Sequence, residues 1–533
     1  MQPTTISSPS GPAAGQIRSL LSTKVTRFLE YKETARRIII LTLLFLLPAC
    51  LLRPGINETD FWWHLTTAKW IVEHGTLPST DPFSAYGAGK SWVAYSWLFE
   101  LLIYGLYQAF GLFGIILYQL LGTLAISVAV YGFVAKREPR FVVAVGLAAL
   151  AIIAIIRNFS PRPWLFTILF FTITLDVVLR LREGSGNKAV WGLPLLYVLW
   201  ANLHIQFVYG LTLLGLACLA PILDHLIGEH YPEGDARRLG SSAWWRTIGL
   251  TVACALSTLV NPHHIQLYRI IVELGGQTGM WQYTQEFQSL SFRSFEDWVL
   301  LGLTFAGAMT LGKQGRRSSF EYLLFIVAIF LSFRAMRDAW FIVLTALAVL
   351  VPAVRTRAFG LQSQFVLTRA RLAMISGLAI GCMTLILIVR DFSAEHIRLE
   401  TGKNFPMSAA EFVKENKYPG PLYNHFDWGG YLIWRLPHLQ VSMDGRANVH
   451  GDQRIWKSLA TWNGGRDWAS DPELSAARLV IASRDMALAS LLHLDKRFTE
   501  VYRDETAVVF VRAVQESSHP KLPDASAEIA SVN

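Results

Sequence analysis

Residues 113–157 read FGIILYQLLGTLAISVAVYGFVAKREPRFVVAVGLAALAIIAIIR, and this stretch decides the fold class. Two apolar runs, 113–135 and 141–157, lie on either side of a basic turn that contains Lys136, Arg137 and Arg140. A helix that crosses a bilayer needs ~20 mostly apolar residues. The stretch therefore predicts two transmembrane helices joined by a short basic loop.

The same pattern continues along the chain, which predicts an α-helical polytopic membrane protein with about eleven spanning helices. The apolar runs are 38–52, 113–135, 141–157, 164–181, 189–201, 205–226, 246–260, 298–312, 319–333, 338–354 and 371–390. Together they make up a membrane domain over 38–390.

Composition excludes two other classes of protein. Of the 533 residues 52% are hydrophobic and 16% charged, and the mean hydropathy is +0.35, which is too apolar for a soluble enzyme of this length. The net charge of +9 does not indicate nucleic-acid binding, because the basic residues sit in short clusters between apolar runs. The four cysteines have neither metal-ligand spacing nor a disulfide pattern.

Orientation depends on one further apolar stretch, YSWLFELLIYGLYQAF at 95–110. We interpret it as a helix on the membrane surface, since Glu100 and its many aromatic residues suit an interfacial position. Alternate loops then contain more than twice as many lysines and arginines as the loops on the other side. The positive-inside rule predicts a cytoplasmic tail at 1–37, and long outer loops at 53–112 and 261–297.

Beyond residue 390 the composition becomes that of a soluble domain, which the predicted topology places outside the cytoplasm. Strand-like runs at 419–424, 439–445, 477–483 and 506–512 alternate with helical stretches at 408–416 and 484–493. This alternation predicts a small α/β domain over 391–513. Residues 514–533 are predicted to be a disordered tail.

Titratable residues cluster at the start of the first outer loop. Glu58, Asp60 and His64 lie within seven residues, and Thr59 is a candidate N-cap for a helix over 60–73. Asp60 and His64, four residues apart, share a face of that helix. A carboxylate beside an imidazole can take a proton from a hydroxyl or bind a cation; alternatively, the acids only favour the helix N-terminus.

Two arginine pairs lie at outer membrane boundaries, against the positive-inside bias. Arg157 and Arg162 occur in RNFSPRPW, and Arg334 and Arg337 in FRAMRDAW. A guanidinium at this depth suits a lipid phosphate. Snorkelling to ordinary headgroups explains the same pattern.

Other polar residues are candidates for substrate binding. Asn202 and His204 interrupt an apolar hairpin at the outer boundary, where a polar residue faces a cavity or makes a structural turn. Glu286, in the second outer loop, is a further candidate acid. The remaining candidates are Asp81 in the first outer loop, and Asp444 and Arg446 in the C-terminal domain, although DGR is a common turn sequence.

The block NETDFWWHLTTAKWIVEHGTLPSTDPFSAYGAGKSWVAYSWLFELLIYGLYQAFG, which begins at Asn57, resembles the first outer loop of C-superfamily membrane glycosyltransferases. The resemblance implies that Asp60, or Glu58 nearby, matches their catalytic acid, and that 61–74 and 95–110 match two surface helices. A group of large bacterial membrane proteins, inferred to be glycosyltransferases, has sequences similar to nearly the whole chain. The similarity includes the motifs SPRPWLF, WANLH, LVNPHH and DWGGYLIWRLP. Where oligosaccharyltransferases have a metal-binding acidic motif, this chain has Arg157 to Arg162, which favours a metal-independent enzyme without a cofactor.

The resemblance implies inverting transfer of a sugar from a polyprenyl-phosphate-linked donor to a lipid, glycan or protein acceptor. The expected place is the outer face of a bacterial inner membrane, where there is no pool of nucleotide sugars. Asp60 is the expected general base, assisted by Glu58 or His64, and the four outer arginines are expected to hold the donor phosphate. Two alternatives remain open: a lipid or solute transporter, and a non-catalytic assembly factor of the cell envelope.

Overall fold

A computed structural model of the chain describes residues 30–184, 188–228, 240–277, 284–313, 318–356 and 368–513. The predicted tail at 514–533 and most of the predicted tail at 1–37 lie outside these ranges. The chain divides into two compact units. The first comprises Met1–Leu77 and Val93–Thr401, and the second comprises Pro78–Trp92 and Gly402–Asn533.

The first unit is helical. Its helices α1 to α15 have the following bounds: 30–46, Phe61–His74, Trp97–Phe110, Leu112–Ala135, Phe141–Ala154, Trp164–Arg182, Leu193–Leu203, Phe207–Leu226, Ser241–Ser257, Gln266–Gly276, Phe295–Lys313, Ser319–Arg334, Ala339–Thr356, Arg369–Val389 and Ala394–Gly402.

Each of the eleven predicted apolar runs falls on one of these helices. Within the described ranges, five helices are long and apolar enough by themselves to cross a membrane. They are α4, α6, α8, α13 with the turn before it, and α14. The chain is thus a multi-pass membrane protein, as its composition predicts.

Helix α13 is the core of the first unit. Its residues Ala339 to Val351 are buried, and the helix packs against α5, α11 and α12. By contrast, α14 is exposed along nearly its whole length. An apolar helix with so little protein around it is stable only where lipid covers it.

The two predicted surface helices of the first outer loop are present as α2 and α3, which pack against each other. Gly75 ends α2 in the left-handed conformation at φ 65°, where its N–H bonds the carbonyl of Ile71 at 2.8 Å. The prediction that Glu100 faces the membrane interface is wrong, because its side chain is 1% exposed and packs inside the protein.

The second unit contains a four-stranded sheet, with helices α16 to α21 at Met407–Glu415, Phe426–Arg435, Ala447–His450, Asp452–Trp462, Pro472–Ala476 and Ala487–Leu494. Strands β1 to β4 are Leu422–Asn424, Leu479–Ser483, Phe498–Arg503 and Ala507–Arg512, in the order β1-β2-β4-β3. β1 pairs parallel to β2, and the other pairs are antiparallel.

The α/β class predicted for this unit is confirmed, but one predicted strand is wrong. Residues 439–445 form no strand; instead Val441 pairs in a single bridge with Ser84 of the 78–92 segment. Because this segment comes from far away in the sequence, the local pattern did not reveal the pairing. β3, with the sequence FTEVYR, forms one edge of the sheet and was not among the predicted strands.

Candidate active site

Four chain segments of the first unit meet at connections between helices. Glu58 and Asp60 precede α2, and Arg162 lies in the connection from α5 to α6. Glu286 lies in a 3-10 turn before α11, and Arg337 lies in another just before α13. The structure thus brings together residues that are far apart in the sequence.

Arg162 is held rigidly in its connection. Pro161 and Pro163 flank it and fix the backbone on both sides, and the hydroxyl of Tyr118 donates a 2.9 Å hydrogen bond to its carbonyl. Pro163 is also the N-cap of α6. The backbone that carries the Arg162 side chain is therefore fixed in position.

Three carboxylates converge on this guanidinium. Nε of Arg162 donates to Glu58, and Nη1 donates to Asp60 Oδ2 at 2.8 Å. Nη1 also lies 3.0 Å from Glu286 Oε2. The Arg162 side chain is 17% exposed, so these charge-assisted contacts are only partly screened by water.

Glu286 links Arg162 to a second arginine. Its other oxygen, Oε1, lies 3.3 Å from Nη1 of Arg337. Both guanidinium groups also contact the ring of Trp164, whose centroid lies 4.9 Å from that of Arg162 and 5.8 Å from that of Arg337. We call Glu58, Asp60, Arg162, Glu286 and Arg337 the acid–arginine cluster; its three acids outnumber its two arginines by one charge.

The electrostatics of the acid–arginine cluster favour a proton acceptor at Asp60. The pKa of Asp60 is raised to about 6, chiefly by burial; Arg162 opposes this rise, and the charges of Glu286 and Glu58 add to it. Burial alone would lower the pKa of Arg162, but Glu286, Glu58 and Asp60 hold it well above its usual value. Asp60 is therefore mostly ionised at pH 7 but far more basic than an ordinary aspartate.

The helix start differs in detail from the sequence-based prediction. The N-cap of α2 is Asp60 and not Thr59, and its carboxylate makes no capping hydrogen bond. This carboxylate binds Arg162 instead of lying beside His64. His64 pairs with Glu100 of α3, its Nδ1 lying 3.1 Å from Oε1. The predicted carboxylate–imidazole pair exists, but with another carboxylate.

The four predicted phosphate-binding arginines do not form one group. Arg162 and Arg337 belong to the acid–arginine cluster, whereas Arg157 contacts Ser294 at 2.8 Å and also pairs with Asp297. Arg334 is exposed and lies over the ring of Phe330 at 5.9 Å.

A polar cavity of about 460 Å³ lies beside the acid–arginine cluster, between the start of the first outer loop and the turn at 156–161. Its polar and charged lining comprises Arg53, Asn57, Glu58, Gln119, Arg157 and Ser160. Glu58 belongs to both the cavity and the cluster, so a molecule in the cavity lies next to the cluster. The sequence alone indicated no role for Arg53.

Asn202 and His204 lie at the turn between α7 and α8, as predicted. Asn202 accepts a 2.9 Å hydrogen bond from the indole of Trp97 and donates to the carbonyl of Val260 at 2.9 Å. His204 is buried against Thr167, with 2.8 Å between Nδ1 and the hydroxyl. Burial, with Arg337 and Arg162, lowers the pKa of His204 well below its usual value.

Asp81, Asp444 and Arg446 come together in the second unit, away from solvent. Nη1 of Arg446 lies 2.7 Å from Asp81 Oδ1, and Nη2 lies 2.7 Å from Asp444 Oδ2. All three side chains are at most 1% exposed. Their predicted substrate binding remains untested, and their mutual pairing favours a structural role.

The backbone of this chain is similar to that of a solved protein. The archaeal oligosaccharyltransferase AglB from Archaeoglobus fulgidus, solved in complex with an inhibitory peptide and a dolichol-phosphate, superposes with a TM-score of 0.51 at 12% identity. The match covers 92% of this chain and 75% of AglB. This chain therefore shares the fold of AglB. The fold that was expected from the resemblance of the first outer loop is confirmed over 92% of the chain.

A further likeness is to ArnT from Cupriavidus metallidurans bound to undecaprenyl phosphate, with a TM-score of 0.45 and 14% identity over 90% of this chain and 97% of ArnT. No protein-family model and no curated protein matches the sequence. The likeness to AglB shows a shared fold alone, at a sequence identity too low to transfer its function.

Proposed function

We propose that this protein transfers a sugar from a polyprenyl-phosphate-linked donor to a hydroxyl or amide of a lipid, glycan or protein acceptor. The observation that carries the proposal is Asp60, a carboxylate of raised pKa beside a polar cavity lined by arginine. The C-superfamily fold supports it, since AglB was solved with a dolichol-phosphate. The predicted topology places the reaction at the outer face of a bacterial inner membrane.

The polar cavity suits the donor phosphate. Arg157 lines this cavity, and Arg53 lies exposed at its edge. Arg162 and Arg337, by contrast, belong to the acid–arginine cluster and are not among the residues that line this cavity. We therefore assign the phosphate to Arg157 and Arg53, and we assign Arg162 the role of orienting Asp60.

The chemistry is a single displacement. Asp60 takes the proton of the acceptor group, whose oxygen or nitrogen attacks the anomeric carbon. The bond from that carbon to the phosphate oxygen breaks, and polyprenyl phosphate leaves with the electron pair. Arg157 and Arg53 stabilise the charge that develops on the phosphate. One displacement inverts the anomeric carbon, and the guanidinium groups supply the positive charge without a metal ion.

An open apolar groove supports a lipid substrate. It has a volume of about 890 Å³, and α7 supplies several of its residues, among them Leu195, Leu196 and Leu199. Trp97 at the start of α3 and Asn202 at the end of α7 also line it. A groove of this size and character suits an isoprenoid or acyl chain better than a free sugar.

The deciding experiment measures transfer of radiolabelled sugar from membrane polyprenyl-phosphate pools into lipid, glycan and protein fractions. Wild type is compared with Asp60→Asn, and with Glu73→Gln as a control at an exposed position of α2. We expect the label to enter one fraction with wild type and with Glu73→Gln, and to be absent from it with Asp60→Asn. Equal transfer in all three proteins would exclude Asp60 as the base. No transfer in any would favour the transporter or the assembly factor.

A further inference from the structure

A second polar cavity lies at the end of α6 that is opposite the acid–arginine cluster. It has a volume of about 350 Å³ and lies between α4 and α6. Arg162 precedes the first residue of α6, whereas Arg180 lines this cavity in the last turn. The helix from Trp164 to Arg180 is about 24 Å long at ~1.5 Å per residue. The cavity is therefore distinct from the candidate active site.

The cavity is charged at one end and apolar along its wall. Lys136, the C-cap of α4, and Arg180 supply the basic groups. Val128 and Ile173, nearer the middle of the two helices, line the wall and are 46% and 38% exposed. Because α4 and α6 are long and apolar enough to cross a membrane, such side chains face lipid. The change from charged to apolar follows the order of headgroup and acyl chain in a phospholipid.

The carboxylate that lines the cavity does not neutralise its basic groups. Asp176 Oδ1 lies 2.7 Å from Nη1 of the buried Arg137, and Oδ2 contacts both Lys136, at 2.9 Å, and Arg180. The side chains of Lys136 and Arg180 are 55% and 40% exposed. An ammonium has three donors, of which Asp176 takes one. Lys136 can therefore bind a second anion while it keeps Asp176.

The other acids near this end of the helices have basic partners of their own. Glu138 pairs with Arg140 at 2.8 Å, and Glu183 contacts Nε of Arg137 at 3.7 Å. Neither acid lines the cavity. Among the described residues that do line it, the two cations outnumber the one acid, so the cavity favours an anion.

We propose that this cavity binds an anionic phospholipid, with its phosphate against Lys136 and Arg180 and an acyl chain along the apolar wall of α4 and α6. The predicted topology places this end of both helices at the cytoplasmic leaflet, where basic groups beside a spanning helix attract anionic headgroups. The inference goes beyond the proposed function and is independent of it, since it uses no residue of the candidate active site.

Gly132 allows the cavity to be filled without disturbing the protein around it. It lines the cavity, and apart from the adjoining backbone of α4 no atom of the described residues lies within 4 Å of a Cβ placed there. Gly132→Leu should therefore occupy the cavity, and leucine favours a helix more than glycine does. Gly146→Leu is the matched control, because Gly146 of α5 has equally open surroundings and does not line the cavity.

The test is a lipid titration of the full-length protein in detergent, followed by native mass spectrometry. The probes are phosphatidylglycerol, phosphatidylcholine with the same acyl chains, and inorganic phosphate as a competitor. At one concentration of phosphatidylglycerol, we expect wild type and Gly146→Leu to bind one molecule more than Gly132→Leu binds. Phosphatidylcholine should bind all three proteins equally and more weakly.

Substitutions of the basic groups test the headgroup contact separately. Lys136→Gln and Arg180→Gln should each lower the affinity for phosphatidylglycerol about 5-fold, as expected for one basic group near a membrane surface. Lys136→Arg should keep the affinity close to that of wild type. Asp176 retains Arg137 in each of these variants, so its buried charge stays paired.

Four outcomes would overturn the proposal. The first is equal binding of phosphatidylglycerol by wild type and Gly132→Leu, and the second is equal affinity of wild type for the anionic and the neutral lipid. The third is an unchanged affinity in both Lys136→Gln and Arg180→Gln, which decides the matter by itself if Gly132→Leu does not fold. The fourth is displacement of the lipid by an equal concentration of inorganic phosphate, which would show that the cavity binds phosphate without the lipid chain.

Discussion

The guanidinium of Arg162 donates a 2.8 Å hydrogen bond to the carboxylate of Asp60, across 102 residues of sequence. This contact joins the first outer loop to the connection between α5 and α6. It orients the carboxylate that we assign as the base, and it keeps that carboxylate partly ionised in spite of its burial. The behaviour of this pair leads to the first three predictions.

The rate of transfer should depend on pH through Asp60. Its pKa is raised to about 6, so the ionised form is lost as pH falls through 6. We expect the rate to rise between about pH 5 and pH 7. Asp60→Asn should lower the plateau by about 100-fold or more and abolish this step. A wild-type profile flat from pH 5 to pH 7 would argue against Asp60 as the base.

Glu286→Gln should move the midpoint of that profile to lower pH. Glu286 is the carboxylate that most raises the pKa of Asp60, and removing its charge makes ionisation of Asp60 easier. Glu73→Gln is a matched control, since Glu73 is an exposed glutamate of α2 that pairs with Lys69, outside the acid–arginine cluster. Profiles of both variants, measured at one donor concentration, check the prediction. A shift to higher pH in Glu286→Gln would contradict it.

Arg162→Ala should create a site for a divalent cation. The substitution leaves Glu58, Asp60 and Glu286 together without the guanidinium that they share, and hard divalent cations prefer such oxygen ligands. We expect millimolar Mn²⁺ to raise the Tm of Arg162→Ala and to leave that of the wild type unchanged. Chelation with EDTA should leave wild-type transfer unaffected. Loss of wild-type activity in EDTA would refute the metal-independent mechanism.

Asp81→Asn should destabilise the second unit. Asp81 pairs with the buried Arg446, which Asp444 also contacts. Removing the partner of a buried charge costs about 3–5 kcal/mol, and we expect a smaller loss here because Arg446 keeps Asp444. Limited proteolysis and thermal unfolding of the full-length protein measure the loss. Asp427→Asn, at an exposed position of the same unit, is the control. An equally stable Asp81→Asn protein would show that the pair contributes little.

The same buried group predicts that the second unit loses stability in acid, as the pH falls below about 4. Although burial acts to raise the pKa of Asp444, the attraction of Arg446 and His450 outweighs it and holds this pKa well below the usual value. A depressed folded-state pKa contributes stability above the unfolded-state value, near 4, which is lost only as pH falls below it. Unfolding followed between pH 7 and pH 3 should therefore show little loss from Asp444 above pH 4. Asp444→Asn should remove this contribution across the same range.

The sequence by itself determined the membrane class, the positions of the apolar helices, the two helices of the first outer loop and the acid at Asp60. These features depend on local properties: the length of an apolar run, the residue that ends a helix, and the spacing of charges within one turn. For the same reason, the α/β class of the second unit was predictable from alternating runs.

Only the tertiary structure decided which charges meet. Local spacing predicted that Asp60 lies beside His64. Instead, the packing of α2 on α3 pairs His64 with Glu100. The connection before α6 brings Arg162 to Asp60. Likewise, residues 439–445 have the pattern of a strand, yet the 78–92 segment occupies the position of their partner. A buried charge pairs with the opposite charge that packing brings close to it. This pairing depends on contacts between distant segments, and the periodicity and composition of a sequence do not report such contacts.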